Sequence, residues 1–116
     1  MFKLLAQKIR YPVLGLKLLW REEISFRLQI ACALVVSALG LYLRISPFEF
    51  ALIIFAISCV LMAEAFNTAL EEFCDKFQPE HDPHIAKIKD LSAAAVMLIS
   101  LGALFIGLII FIPHLW

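Results

Sequence analysis

The sequence contains little of what a soluble nucleotide-binding or disulfide-bonded domain uses. Its four glycines are isolated from one another, so no glycine-rich loop is available to cradle phosphates. Its three cysteines are widely separated and have no Cys-x-x-Cys spacing, which argues against a disulfide framework. Ten Lys and Arg balance ten Asp and Glu, so no net positive field recruits nucleic acid. Charged residues make up only 17% of the chain, against about 25% in ordinary soluble domains.

Apolar residues are more frequent in this sequence than in ordinary soluble domains. Hydrophobic side chains account for 63% of the 116 residues, and the mean hydropathy is +0.92. Leu28–Leu43, Phe50–Ala63 and Leu91–Trp116 contain no Lys, Arg, Asp or Glu. Because a helix crosses a bilayer with about 20 mostly apolar residues, the sequence predicts an all-α membrane protein. Its three transmembrane helices would cover about residues 27–44, 47–72 and 90–113.

A soluble bundle of three buried helices is the alternative interpretation of the same runs. It would leave the wholly apolar stretch from Leu91 to Ile112 with no face toward water. A run of that length is typical of a helix that crosses a bilayer. The membrane interpretation is therefore favoured, with residues 1–116 as a single integral-membrane domain.

The first 22 residues mix apolar and basic side chains. Such a segment can lie in the headgroup plane, with its apolar face toward the hydrocarbon and its Lys and Arg toward anionic lipid. The composition predicts an amphipathic surface helix over about residues 2–22, in which Pro12 would break the helix or begin its second part. Both a simple basic anchor and an anchor that also lines a site agree with this composition.

The basic residues are distributed unevenly around the predicted spans. Of the ten, only Arg44 falls in the loop between the first and second spans, and the other nine precede the first span or lie between the second and third. Short loops rich in Lys and Arg face the cytoplasm. We therefore predict a cytoplasmic N terminus, a cytoplasmic loop between the second and third spans, and an external C terminus.

A polar pattern is attached directly to the second apolar run. Its members are Glu64, Asn67, Glu71 and Asp75. On a helix, spacings of three and four residues place them on one face. Fourteen uncharged residues precede Glu64, which puts it at the hydrocarbon boundary, where an ionised carboxylate is costly unless it is paired or faces water. An ordinary exposed helix end explains Glu72 and Asp75, but the deeper residues indicate a functional site.

Two other polar groups reach the same depth. Glu23 lies just before the first span, and Lys89 with Asp90 lies just before the third. Carboxylates and an amide oxygen suit magnesium, and an ammonium group suits phosphate oxygens, so the combination favours a magnesium nucleotide. Taken alone, Asp90 could simply begin a helix and Lys89 could be an interfacial anchor.

Three segments resemble motifs of the prokaryotic diacylglycerol kinase family, small membrane lipid kinases that include undecaprenol kinases. The segment EAFNTALE at 64–71, followed by Asp75, is similar to the family's E-x-x-N-S/T-A-I/L-E signature. KDLSAAAV at 89–96 is similar to K-D-x-x-A/S-A-A-V, and EEISFR at 22–27 contains an E-x-x-F-R/Q match. The three segments cover nearly the whole chain in the family's order.

The resemblance implies a homotrimer in the bacterial inner membrane, with active sites shared between subunits on the cytoplasmic side. It implies transfer of the γ-phosphate of ATP to the primary hydroxyl of a membrane lipid alcohol, with Mg²⁺ as cofactor. By matched position, Glu64 is expected to bind the lipid hydroxyl as the general base, and Glu23 and Glu71 are expected to bind the metal. The expected nucleotide contacts are Tyr11, Glu23, Asn67, Glu71, Lys89 and Asp90.

The chain departs from the family pattern at two positions. Leu4 stands where some members carry an arginine, and Ala93 stands where some carry a serine. Both changes concern lipid recognition more than the phosphoryl-transfer centre. These departures leave the substrate open. Diacylglycerol is the first substrate hypothesis because the family is named for it, and undecaprenol is the alternative. A non-catalytic membrane subunit with the same fold is the hypothesis of another class.

The topology can be tested with reporter fusions. A reporter that is active only outside the cytoplasm, fused after Trp116, is expected to be active because the third span ends outside. The same reporter fused to a chain truncated after Glu80, in the second cytoplasmic loop, is expected to be silent. Activity of the second fusion with silence of the first would overturn the predicted orientation.

Overall fold

The computed structural model describes all 116 residues and contains four α-helices and no strand. The helices are α1 (Phe2–Glu22), α2 (Ile24–Leu43), α3 (Pro47–Phe77) and α4 (Pro83–His114). The last three are each long and apolar enough to cross a membrane. The predicted fold class, an all-α protein with three candidate spans behind an N-terminal helix, is confirmed.

Two of the helix starts are fixed by side chains that cap them. The hydroxyl of Ser46 accepts a hydrogen bond from the Glu49 backbone N–H at 3.1 Å, and the Glu49 carboxylate accepts one from the Ser46 N–H at 2.9 Å. This reciprocal pair, with Pro47 at the first helical position, begins α3. The carboxylate of Asp82 accepts from the N–H of His84 at 2.8 Å and so begins α4.

The turn between α2 and α3 depends on a glycine. Arg44 ends α2 in the left-handed conformation, with φ 54° and ψ 50°, and the chain doubles back immediately. A Cβ on Gly40 would lie 3.0 Å from the Ile45 side chain and 3.2 Å from that of Phe50. The absence of a side chain at Gly40 therefore lets the two helices approach closely at this end.

The helices differ in extent from the predicted spans. α3 continues to Phe77, and α4 starts at Pro83, because both helices run on beyond the apolar segment into the polar region and α4 is capped there by Asp82. The prediction that Pro12 breaks α1 or begins a second part is wrong, since α1 passes through it without interruption. Pro12 cannot donate a backbone hydrogen bond and crowds the carbonyl one turn earlier, but the hydrogen-bonded turns on both sides keep α1 continuous.

Packing is closest between α3 and α4, with α2 against α3 and α1 against α2. The main apolar cluster lies near the α2–α3 turn and consists of Ile45, Ile53, Ile110 and Phe111. At the same end, Nε2 of His114 lies 3.2 Å from Oε1 of Glu49, which joins the end of α4 to the start of α3. Only nine residues of the chain are buried. The exposed apolar faces of the three candidate spans are suited to contact with hydrocarbon, and α1 has no buried residue.

Candidate functional site

Glu64 is the only buried charged residue in the chain, with 8% of its surface exposed. It lies on α3 where that helix faces α2, and its Oε1 accepts a hydrogen bond of 3.1 Å from Nε2 of Gln29. A charged group in an apolar environment is very costly unless it is hydrogen-bonded or paired. The Gln29 amide supplies the one hydrogen bond that Glu64 receives within the chain.

Gln29 was not identified from the sequence. It lies in the first apolar run, where the only other uncharged polar side chain apart from tyrosine and cysteine is that of Ser37. The sequence does indicate that Gln29 has a hydrogen-bond partner, because an amide inside an apolar helix is costly without one. The sequence did not reveal which residue on another helix that partner was, since the pair is 35 residues apart along the chain.

Asn67 and Glu71 follow Glu64 on the same helix and are both half-buried. Nδ2 of Asn67 donates to Oε1 of Glu71 at 3.2 Å, one helical turn along α3. The bond aligns the amide and the carboxylate along the face that also carries Glu64. Glu71 lies about 10 Å beyond Glu64 by the rise per residue, toward the polar end of α3.

Two buried amide oxygens at this level have no partner, Oε1 of Gln29 and Oδ1 of Asn67. Buried acceptors without a partner are rare in folded proteins, and each costs about 1–3 kcal/mol. Glu23 and Glu71 are also near enough for their negative charges to act on Glu64. The region therefore has two buried oxygen acceptors that the chain itself leaves unpaired, beside several carboxylates.

This oxygen-rich region fits a hard divalent cation. The unpartnered Oδ1 of Asn67 and the carboxylates of Glu71 and Glu23 are the ligand type that magnesium prefers. The chain places no three His, Cys, Asp or Glu side chains together in a metal-binding group. Magnesium ordinarily uses one or two carboxylates and takes its other ligands from water and substrate phosphates, so the smaller donor set agrees with that chemistry.

Lys89 is connected to α3 by an ion pair. Its ammonium group contacts Oδ1 of Asp75, across the gap between α4 and α3. The pair fixes a cation at the polar end of the face that carries Asn67 and Glu71. Asp90, the next residue, is exposed and makes no hydrogen bond, so the two neighbours lie in different surroundings.

The remaining predicted site residues lie on or beside α1. Glu23 is half-buried at the break between α1 and α2, where its backbone is extended and its N–H bonds to the carbonyl of Leu19. Tyr11 is 74% exposed and makes no hydrogen bond. A single chain therefore places the polar residues along one face of α3, with Gln29 at its Glu64 end and Lys89 at its Asp75 end, while Tyr11 and Asp90 stay exposed.

An apolar cavity of about 510 Å³ lies between α2, α3 and α4. Gln29 and Ser100 are its only polar side chains, and thirteen of its sixteen lining residues are hydrophobic. On α2 the lining extends from Gln29 to Leu39, about 15 Å along the helix. The Gln29 end is the end at which the same side chain holds Glu64, so the cavity leads to the buried carboxylate.

The arrangement has the parts needed to move a proton and a phosphoryl group at a membrane boundary. A carboxylate that is mostly shielded from water can take a proton from a hydroxyl held close to it. Farther along α3, oxygen ligands and Lys89 can hold a metal and phosphate oxygens. Phosphoryl transfer depends mainly on positioning and charge neutralisation, which is what these groups provide.

A protein-family model matches the part of the chain that contains this site. The family model described as prokaryotic diacylglycerol kinase matches residues 10–111, which include every site residue named above. The undecaprenol kinase of Bacillus subtilis is 33% identical over 95 residues, covering 82% of this chain and 77% of that protein. The diacylglycerol kinase of Helicobacter pylori 26695 is 32% identical over 97 residues, covering 84% and 76%. The diacylglycerol kinase of Escherichia coli K12 is 26% identical over 106 residues, covering 91% and 84%.

Proposed function

The chain belongs to the prokaryotic diacylglycerol kinase family, and on that basis we propose that it transfers the γ-phosphate of ATP to the primary hydroxyl of diacylglycerol, giving phosphatidic acid. Its named relatives are kinases of lipid alcohols, and the chain is accordingly a lipid kinase. The observation that carries the proposal for the site is the burial of Glu64 and its hydrogen bond to Gln29, which lines the end of the apolar cavity.

Glu64 acts as the general base in this proposal. A lipid hydroxyl reaches no farther than the headgroup boundary, and Glu64 is the carboxylate of the site nearest to the apolar part of α3. The hydroxyl gives its proton to Glu64 while its oxygen forms a bond to the γ-phosphorus. The bond between that phosphorus and the bridging oxygen breaks, and ADP leaves with the electron pair.

Magnesium is held by Glu23 and Glu71 in this proposal, with Asn67 supporting them through its free amide oxygen. When bound, the ion neutralises negative charge on the phosphates of ATP. Glu71 is already fixed by the bond from Asn67, and Glu23 lies at the α1–α2 junction close enough for its charge to reach the site. One carboxylate thus comes from α3 and the other from the α1–α2 junction, and water and phosphate oxygens would supply the remaining ligands.

ATP is contacted by Lys89, Asp90 and Tyr11 in addition to the metal-binding group. Lys89 is held by Asp75 at the polar end of α3, where its ammonium group can also reach phosphate oxygens. Tyr11 and Asp90 are exposed in the single chain. Both side chains are accessible to a neighbouring copy, and the family resemblance implies a homotrimer that would complete the sites in this way.

The lipid alcohol enters from the bilayer with its hydrocarbon in the apolar cavity. The cavity lies among the three candidate spans and ends at Gln29, next to the base. A chain lying along it would bring the head end of the lipid to Glu64. In the proposed orientation this end faces the cytoplasm, where ATP is available, and the protein is a multi-pass component of the bacterial inner membrane.

Undecaprenol is the second candidate substrate, which the similarity to the Bacillus subtilis undecaprenol kinase favours. Its long chain has no polar group near the hydroxyl, in agreement with a cavity that has only two polar side chains. The assay below separates the two lipids.

The kinase activity is tested by transfer of radiolabelled phosphate from ATP to lipid in mixed micelles, with diacylglycerol and undecaprenol supplied separately. Label is expected in diacylglycerol, and Glu64→Gln is expected to lower kcat by about 10²–10⁴-fold because the general base is lost. The variant should keep the oligomeric state of the wild type by size-exclusion chromatography. Label in undecaprenol alone would make undecaprenol the substrate in place of diacylglycerol. If a folded oligomer labels neither lipid, the hypothesis of a non-catalytic subunit is favoured.

The metal assignment is tested by the magnesium dependence of that transfer. Glu23→Gln and Glu71→Gln are each expected to raise the magnesium concentration for half-maximal activity by about tenfold, because a charged ligand is lost. Glu72→Gln is the matched control, since Glu72 is an exposed carboxylate next to Glu71 on α3 with no hydrogen bond. A magnesium requirement unchanged in both site variants would reject the assignment.

The lipid-chain assignment is tested by filling the cavity. Gly107 lines it and has open space where a side chain would be, so Gly107→Leu should project into the cavity and raise the KM for lipid severalfold while leaving the KM for ATP unchanged. Gly102→Leu is the control, because Gly102 lies on the same helix, also with open space, but does not line the cavity. Equal lipid KM values for the two variants would contradict this location of the chain.

A further inference from the structure

Gln29 belongs to two features at once. Its amide nitrogen donates the hydrogen bond that Glu64 receives, and its side chain also lines the apolar cavity. It lies on α2, whereas Glu64 lies on α3, so the bond joins two candidate spans at the depth of the buried carboxylate. No other residue of the chain both contacts Glu64 by a hydrogen bond and lines this cavity.

The bond leaves the two oxygens of Glu64 in different situations. Oε1 is occupied by Gln29, while Oε2 makes no hydrogen bond and is not among the fully enclosed polar atoms. An ionised carboxylate only accepts hydrogen bonds, so the nitrogen of the Gln29 amide must face it and the carbonyl oxygen must face away. That carbonyl oxygen is buried without a partner. The orientation of the amide is therefore set by Glu64 alone.

The amide at this position is not explained by packing. An apolar side chain of similar size would fill the same place without burying an unpaired carbonyl oxygen. A buried polar group without a partner in the chain calls for an explanation, and a catalytic role is one. The place of Gln29 at the end of the cavity puts it on the side from which a lipid would reach Glu64.

We propose that Gln29 is the positioning residue of the general base: it fixes Oε1 of Glu64 so that Oε2 faces the end of the cavity, where the hydroxyl of the lipid alcohol arrives. This assignment rests on the proposed kinase function. Gln29 does not exchange a proton itself. It acts through Glu64 by holding the carboxylate in one rotamer, which matters because a displacement of about 1 Å at a reacting group can lower a rate about 10²-fold.

The test is Gln29→Leu, which keeps a side chain of similar size and removes the hydrogen bond. The expected result is a decrease of about 10–100-fold in kcat, with the KM for ATP within about twofold of wild type. Ser37→Ala is the matched control, because it alters the other uncharged hydroxyl or amide side chain of the same apolar run and Ser37 neither bonds to Glu64 nor lines the cavity. The control is expected to retain wild-type kcat.

A double-mutant cycle separates positioning from a general structural effect. If Gln29 acts through Glu64, then Gln29→Leu in a Glu64→Gln background should lower the residual activity by no more than about twofold. An equal decrease in both backgrounds would overturn the proposal, and so would wild-type kcat in Gln29→Leu. Should the leucine variant fail to purify as the wild-type oligomer, Gln29→Met takes its place with the same expected results. If the wild-type protein phosphorylates neither lipid, the proposed function is overturned. If the wild type and the Gln29 variant are equally active, the kinase function stands and only the role of Gln29 is overturned.

Discussion

A carboxylate placed inside an apolar helix has to be stabilised by other parts of the molecule, and much of this structure follows from that requirement. Glu64 is the single buried charge, and its hydrogen-bond partner comes from another helix. Val60 and Leu61, one turn earlier on α3, are apolar, and the amide of Asn67, one turn later, donates to Glu71 instead. The Gln29 bond consequently adds a polar contact between α2 and α3 to the apolar packing at the turn that joins them. Because a buried charge is costly without a hydrogen-bond partner, Glu64 requires a specific contact with a residue of another span.

The continuity of α3 extends the effect of that contact into the polar region. Because α3 runs unbroken from Pro47 to Phe77, the helical repeat carries the Glu64 face onward to Asn67, Glu71 and Asp75. Asp75 then binds Lys89 of α4, so α3 has polar contacts with both neighbours within three turns. At the opposite end the helices are held by an apolar cluster and by the Glu49–His114 contact. The polar and apolar ends of the bundle are thus stabilised by different interactions.

The sequence predicted the features that depend on local composition and period. The number of apolar helices, the N-terminal helix and the shared face of the polar stripe all follow from residues close together in the chain. Gln29 and the Asp75–Lys89 pair were not predicted as contacts, because each depends on which faces of separate helices meet. The observed helix ends also differ from the predicted ones. The apolar runs show where a span leaves the hydrocarbon, whereas a helix can continue into the polar region as long as its backbone stays hydrogen-bonded. The continuity of α1 at Pro12 was not predicted either, because it depends on the backbone hydrogen bonds of the neighbouring turns.

The incomplete state of the site in one chain has a physical explanation in the chemistry proposed for it. Asn67 and Gln29 keep buried oxygens without partners, and no group of three acidic, His or Cys side chains converges. A site that satisfied all of these atoms internally would bind magnesium and phosphate weakly, because each ligand would first have to displace a protein contact. Leaving them unsatisfied costs folding free energy, but under the proposed function the metal, the nucleotide and a neighbouring copy would supply the missing partners. The same reasoning accounts for how a chain with only nine buried residues could catalyse phosphoryl transfer, since the reaction asks the protein mainly for position and charge.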